Sequence, residues 1–370
     1  MWGRMASRQI PRTTRSVVIQ KQASARKPAY HDAVIVERDI PALQQGEVLV
    51  KMSACAFNHR EVSDRNATPD AGLYPGIFFG ATFGADGAGT VIAAYDPEDA
   101  LLEKRVFLTP MRGWKSNPDG PESKFAILGG GRQPPIGTFS EYVVVERDEV
   151  IPSPAHLDDV QVAAWPLAGL TAWRAAMNNA NVQPGHRVLI TGIGGGVALT
   201  AMQLCIARGA TVYVTSSSPD KIRRAVELGA KAGFNYKDQA WPSQLGAVLK
   251  EEGAMLDGVI DAGGGDILTQ MSPILKHGGR VACYGMTASP KISMTMPVVL
   301  RNQKLMGSTM GSLKDMKDAT AFMEEHKIVP IVSDVLKGLD AVEQGFDLMK
   351  RGGQFGKIVI DMRGNKGAKL

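Results

Sequence analysis

One stretch limits what the chain can fold into more than any other: residues 187–236. Arg187-Val188-Leu189-Ile190-Thr191 is a short apolar, β-branched run, the composition of a buried strand. Gly192-Ile193-Gly194-Gly195-Gly196-Val197-Ala198 follows at once. Apolar residues then recur at helical spacing, Ala198, Ala201, Met202, Leu204, Cys205 and Ile206, closed by Gly209. Thr211-Val212-Tyr213-Val214-Thr215 is a second strand, ending in three serines. Strand, glycine turn, helix and strand in so short a span predict the first βαβ unit of a dinucleotide-binding sheet. Glycines let the backbone approach a pyrophosphate, and the helix N-terminus offers unpaired N–H groups and positive dipole. A strict Gly-x-Gly-x-x-Gly reading puts Val197 where the third glycine belongs. Gly192-x-x-Gly195-x-x-Ala198 instead keeps small residues where helix and strand pack closely.

The end of the second strand bears on which dinucleotide. An Asp or Glu there would hold the ribose 2′-hydroxyl of NAD. This chain has Ser216, Ser217, Lys221 and Arg224, which suit a 2′-phosphate through charge-assisted hydrogen bonds. NADPH is therefore the expected cofactor. Asp220, directly after Pro219, is expected to cap the next helix rather than bind ribose.

At 370 residues the chain has room for two domains. No apolar run approaches the roughly 20 residues that span a bilayer, so no membrane role is expected. Cys55, Cys205 and Cys283 lie far apart, without metal-ligand spacing, which points to a reducing compartment and no disulfide framework. Residues 1–31 hold seven of the 42 Lys and Arg and no acid; the remainder carries 35 basic against 37 acidic residues, a net −2. A body of that charge gives no footing for nucleic acid. Arg4, Arg8, Arg12 and Arg15 resemble a mitochondrial presequence, but Pro11 interrupts any helix and the first strand begins near Ser16. A basic arm on a cytoplasmic protein is the preferred reading.

Residues 16–150 read as strands and turns. Val17-Val18-Ile19, Ala33-Val34-Ile35-Val36 and Glu47-Val48-Leu49-Val50-Lys51-Met52 are separated by Pro and Gly signals. Residues 110–137 form a long Pro- and Gly-rich loop, commonly a lid or a substrate-side wall.

The order of motifs resembles the medium-chain dehydrogenase/reductase superfamily over about residues 10–362. The pieces are Asn58-His59-Arg60-Glu61, Gly84-Ala85-Asp86-Gly87-Ala88-Gly89, Gly137-Thr138-Phe139-Ser140-Glu141-Tyr142, Leu170-Thr171-Ala172-Trp173, the glycine turn and Gly352-Gly353-Gln354-Phe355-Gly356-Lys357. The resemblance implies an α/β chain, with a doubly wound parallel Rossmann sheet and a GroES-like, mainly-β catalytic domain. The expected boundaries are 1–155 for the first part of the catalytic domain, 156–311 for the Rossmann domain, and 312–370 for a return segment completing the first. Zinc-dependent relatives carry a Cys where this chain has Asn58, His-Glu where it has Ala85-Asp86, and a third Cys where it has Leu167. Asn, Ala and Leu do not ligate zinc as Cys and His do. No cysteine occurs in 90–140, so the structural-zinc lobe is absent as well. The chain therefore resembles the zinc-less branch of quinone oxidoreductases, ζ-crystallin-like proteins and enone or enoyl reductases. That likeness implies hydride transfer from NADPH to a quinone or to the C=C of an α,β-unsaturated carbonyl compound, in a homodimer. An acyl-thioester enoyl reductase and a non-catalytic, crystallin-like NADPH-binding protein are the alternatives.

By the same resemblance Asn58 faces the nicotinamide and Tyr74 lines the substrate pocket. His59 is read as a structural histidine, Arg60 and Glu61 as an ion pair, and Asp86 as a partner of Arg60. A helix over Leu157–Ala176 brings Thr171 to the cofactor. Gly192, Gly194, Gly195, Gly196, Val197, Ser216, Ser217, Lys221 and Tyr236 are assigned to the pyrophosphate and adenosine end. Gly263, Tyr284, Gly285 and Lys357 complete the cofactor set. Met294, Met296, Met306 and Met310 are read as an adaptable apolar surface at a dimer seam or in the substrate pocket, or equally as a Met-rich core.

Overall fold

The computed structural model describes residues 10–22, 30–66 and 77–363. The glycine-turn stretch forms the centre of a six-stranded sheet. Its strands lie in the order Ala232–Asn235, Thr211–Ser216, Arg187–Ile190, Leu256–Asp261, Leu275–Cys283 and Lys304–Gly307. Every pairing is parallel, with Val188 beside Val212 on one side and Gly258 on the other. Val188, Leu189 and Ile190 are fully buried, as expected for a strand covered on both faces. The helix Gly196–Ala207 starts with Gly195 as its N-cap, directly after the turn.

The second sheet has seven strands and draws on both ends of the chain. Val332–Lys337 pairs with Lys357–Asp361, which lies antiparallel to Glu47–Ala56; Asp86–Ala94, Arg105–Leu108 and Val150–Pro152 continue the order, and Tyr142–Glu146 also pairs with Glu47–Ala56. Val359 stands opposite Ala56, and Asp86 opposite Ala56 on the other side. Three segments remote in sequence are thus brought to one point: the end of Glu47–Ala56, the start of Asp86–Ala94 and the start of Lys357–Asp361. This is a GroES-like fold beside a Rossmann sheet, as the motif order implied. Thr13–Gln20 and Asp32–Asp39 form a separate antiparallel hairpin.

Local details depart from the sequence reading. The single helix expected over Leu157–Ala176 is broken. Asp158 and Gln161 form a capping box for Asp159–Ala163, Pro166 opens a second helix to Trp173, and Arg174–Asn179 is a π-turn. Pro166 lacks the N–H that a continuous helix would need, so it starts a helix instead of continuing one. The loop 110–137 contains a small ribbon, Met111–Arg112 against Ala126–Ile127. Asp220 is not a cap: Ser218 accepts from Lys221 N, and Asp220 pairs with Arg223 in the first turn. Among the described residues no helix is long and apolar enough to cross a membrane.

Candidate active site

A cleft of about 430 Å³ opens between the glycine turn and the segment Phe57–Arg60. Of the residues singled out from sequence, Asn58, Thr171, Gly192, Gly194, Gly195, Gly196 and Val197 line it. So do Ser216, Ser217, Lys221, Tyr236, Tyr284, Gly285 and Lys357. Gly263 does not; its neighbour Ala262 does, while the Gly263 carbonyl accepts from Ala288 N and Ser289 N. Tyr74 and its neighbours Gly72–Gly76 lie outside the described residues, as do Arg4, Arg8 and the tail after Arg363.

The turn is built to leave room above it. Gly192 and Gly194 have φ of +67° and +135°, and a Cβ on Gly192 would meet nothing within 4 Å. A dinucleotide's pyrophosphate fits such a cradle: positive-φ backbone, small residues and the free N–H groups of a helix start. The C-terminal return segment braces the turn from below. Gly356 N donates to Gly194 O at 2.9 Å, and Lys221 Nζ donates to Gly352 O at 3.0 Å. A Cβ on Gly196 would come within 2.6 Å of Lys357 Cδ, so the lysine stem runs directly against the helix start. At the adenosine end, Ser216 and Ser217 stand beside Lys221, and burial together with the Arg224 charge lowers the pKa of that lysine. The Arg224 guanidinium stacks on Phe355 at 4.1 Å.

At the other end of the cleft sits a buried charged triad. Lys357 Nζ donates to Asp86 Oδ2 at 2.7 Å and to Asn58 Oδ1. Asn58 Nδ2 donates to the same Asp86 oxygen at 3.0 Å, and Leu167 N donates to Asp86 Oδ1 at 2.7 Å. Asn58 N in turn donates to Glu61 Oε2 at 2.7 Å. Asp86 therefore holds Lys357 and Asn58, not Arg60 as expected. Arg60 donates to the carbonyls of Leu128 and Gly129 and lies 3.8 Å from Asp64; Glu61 receives the Asn58 backbone instead of a salt bridge to its neighbour. Burial pushes the Glu61 carboxyl up to about 7, against the lowering pull of Arg60. His59, read from sequence as a structural histidine, lines the cleft; desolvation and the Lys357 charge depress its pKa. Cys55 is fully buried, and burial with the Glu61 and Asp86 charges raises its thiol pKa far above the usual range. It is inert wall.

The positions that hold zinc ligands in metal-dependent relatives are here an amide, a methyl and an isobutyl group: Asn58, Ala85 and Leu167. Asp86, next to Ala85, is a carboxylate, and an ammonium already sits on it. Among the described residues no group of three His, Cys, Asp or Glu is placed to hold a metal ion. This donor set does not fit catalytic zinc.

Sequence reasoning missed several walls of the cleft: Met349, Gln354, Thr287 and Ile127. Met310, read from sequence as a seam or pocket residue, lines the cleft and accepts from Thr171 Oγ1 at 3.7 Å. Of the four methionines read together, Met294 and Met296 are exposed and only Met310 reaches the cleft. Periodicity alone gives no means of dividing them.

The profile of the alcohol dehydrogenase GroES-like domain matches residues 44–155, and that of zinc-binding dehydrogenases matches 196–325. A zinc-type alcohol dehydrogenase-like protein of Leptosphaeria maculans is 40% identical over 87% of this chain and 92% of its own. One from Schizosaccharomyces pombe is 31% identical over 88% and 93%. The crystal structure of an NAD-dependent alcohol dehydrogenase is 30% identical, covers 94% of this chain and 99% of its own, and superposes with a TM-score of 0.79. A crotonyl-CoA carboxylase/reductase in complex with NADP shares the fold, with a TM-score of 0.81 over 95% of each chain at 19% identity.

Proposed function

The chain belongs to the medium-chain dehydrogenase/reductase family, and from that premise we propose a zinc-independent, NADPH-dependent reductase of quinones or α,β-unsaturated carbonyl compounds. The family makes it an NAD(P)-dependent oxidoreductase. The finer reading rests chiefly on one observation: the Lys357 ammonium lies on Asp86 and Asn58, at the positions where metal-dependent relatives gather their ligands. A side-chain cation and an amide suit a substrate whose reduction needs hydrogen-bond donors at an oxygen and no Lewis acid.

NADPH would lie with its pyrophosphate over Gly192–Val197. Thr171, Tyr284 and Gly285 would border its nicotinamide, and Ser216, Ser217 and Lys221 would surround its 2′-phosphate. When bound, the reduced nicotinamide supplies a hydride. The rest falls to this chain's own groups. Thr171, Met310 and Ile127 give the cleft an apolar and weakly polar lining that excludes water around the acceptor. Asn58 is oriented from both ends, by Glu61 at its backbone and by Lys357 and Asp86 at its amide, and so presents a fixed face to the cleft.

A homodimer is part of the same reading. Lys304–Gly307 is an edge strand of the six-stranded sheet, and the helix Met296–Leu300 beside it leaves Met296, Val299 and Leu300 exposed. An unpaired edge flanked by apolar side chains suits pairing with a second copy.

The test is NADPH oxidation, followed by its near-ultraviolet absorbance. The panel is a benzoquinone, a naphthoquinone, a 2-alkenal, a cyclic enone, an enoyl-CoA and a simple aldehyde, each with and without chelator. Chelator-resistant turnover of quinones or enones is expected. Turnover of the aldehyde alone, abolished by chelator, would overturn the proposal. NADPH binding with no turnover of any acceptor would favour the non-catalytic alternative.

A further inference from the structure

Lysine is among the residues least often buried, and Lys357 is 5% exposed. An ammonium carries three donors, and two are engaged, by Asn58 Oδ1 and Asp86 Oδ2. Both acceptors are themselves fixed. Asp86 is held by Leu167 N and Asn58 Nδ2, and Asn58 by Glu61. The lysine stem is fixed too, against Gly196, where no Cβ would fit. Its neighbours at the ligand positions, Ala85 and Leu167, bear side chains with no acceptor. The remaining donor therefore belongs to the ammonium of a cleft-lining residue held in place from three directions.

We propose that Lys357 is a catalytic residue whose third N–H donates to the carbonyl oxygen of the bound acceptor and holds the charge that gathers there. This rests on the reading that a conjugated carbonyl compound is reduced. As the new C–H bond forms at the β-carbon, the C=C π pair shifts to the bond between the α-carbon and the carbonyl carbon. The carbonyl π pair moves onto oxygen, which becomes an enolate. Water then delivers a proton to the α-carbon, and the carbonyl re-forms. For a quinone the same contact holds the forming phenolate, and water protonates it. Lys357 stays an ammonium throughout, so it stabilises charge without giving up its proton. A fixed donor in a desolvated cleft is worth far more than the same donor in water.

The probe is 4-nitrophenol, whose absorbance reports its ionisation, bound to the protein–NADP complex. In the native protein it is expected to ionise at a lower pH than in free solution. Removing the lysine alone strands Asp86, so the main variant is the double substitution Lys357→Met/Asp86→Asn. At saturating NADPH that variant should lose the nitrophenol shift and lose roughly 100- to 1,000-fold in kcat, the usual cost of an oxyanion donor. Ethylammonium should restore part of the rate to Lys357→Ala. No shift in the native protein, the same shift in the double variant, or a rate loss explained by weaker NADPH binding would each overturn the proposal. A shift that depends on Lys357, with no conjugated carbonyl turned over, overturns the substrate reading and leaves the residue's role standing. Undiminished enone turnover in the double variant does the reverse.

Discussion

Lys357 Nζ lies 2.7 Å from Asp86 Oδ2, with the two side chains 6% and 0% exposed. A buried pair of this kind is costly to break from one side. Asp86→Asn or Lys357→Met alone should lower the unfolding free energy by about 3–5 kcal/mol, and the double substitution by less than either. Urea unfolding of the three variants checks this. Additive losses would mean that the two charges do not depend on one another.

Lys221 stands beside Ser216 and Ser217 in the cleft, and no acid ends that strand. Lys221→Ala should raise the NADPH dissociation constant about tenfold or more, the value of one charge-assisted hydrogen bond, and change the NADH constant far less. Titration of both cofactors by fluorescence decides it. Equal weakening of the two would remove Lys221 from the 2′-phosphate.

Gly196→Ala places a methyl 2.6 Å from Lys357 Cδ and 3.1 Å from Cγ, mid-stem atoms that cannot swing clear. We expect about 1–3 kcal/mol of destabilisation from overpacking, with a fall in turnover as the ammonium is displaced. Gly192→Ala tests the turn without touching the lysine, since its Cβ meets nothing; the strain of its positive φ remains. Equal turnover losses in the two would argue that the lysine contact at Gly196 is irrelevant.

Glu61 carries the pH dependence with the clearest sign. Its pKa in the folded chain is about 7, against an ordinary 4.5, because burial penalises the charged form more than Arg60 favours it. A carboxyl whose pKa is raised by folding stabilises the fold below about 4.5, and that contribution is lost as pH rises toward 7. The full swing is of order 3 kcal/mol. Glu61→Gln should therefore gain stability relative to the native protein between those two pH values. Parallel stability profiles for the two proteins would contradict the assignment.

The homodimer predicts its own disruption. Leu300, 72% exposed, and Leu305, on the edge strand, lie on one apolar margin. Leu300→Asp/Leu305→Glu should shift sedimentation from dimer to monomer without changing the circular dichroism. A native protein that sediments as a monomer at micromolar concentration would end the dimer reading.

Much of the Rossmann half was legible because its signals are local. Arg187–Ile190, the glycine turn and Thr211–Ser216 each announce themselves within a few residues, and all three lie where periodicity put them. The charged triad was not legible as a unit. Asn58, Asp86 and Lys357 were each singled out, but for separate purposes, and Asp86 was given to Arg60. Asn58 and Lys357 are 299 positions apart, and only the pairing of Lys357–Asp361 with Glu47–Ala56 brings them together. Side-chain partners across such a span depend on register, which no local pattern encodes. Asp220 failed for a smaller reason: Ser218 and Asp220 both suit a helix start, and Pro219 at the first helical position decides in favour of the residue before it.

The brace between the return segment and the glycine turn also orders events in time. Lys357 is synthesised 271 residues after Asp86, and Gly356 reaches Gly194 only once the strand Lys357–Asp361 has been made. On the ribosome the cradle, Asn58 and Asp86 all exist before the group that neutralises Asp86. A nascent chain therefore holds a cofactor turn without its floor and a carboxylate without its counter-charge. Both gaps close together, when one late strand docks.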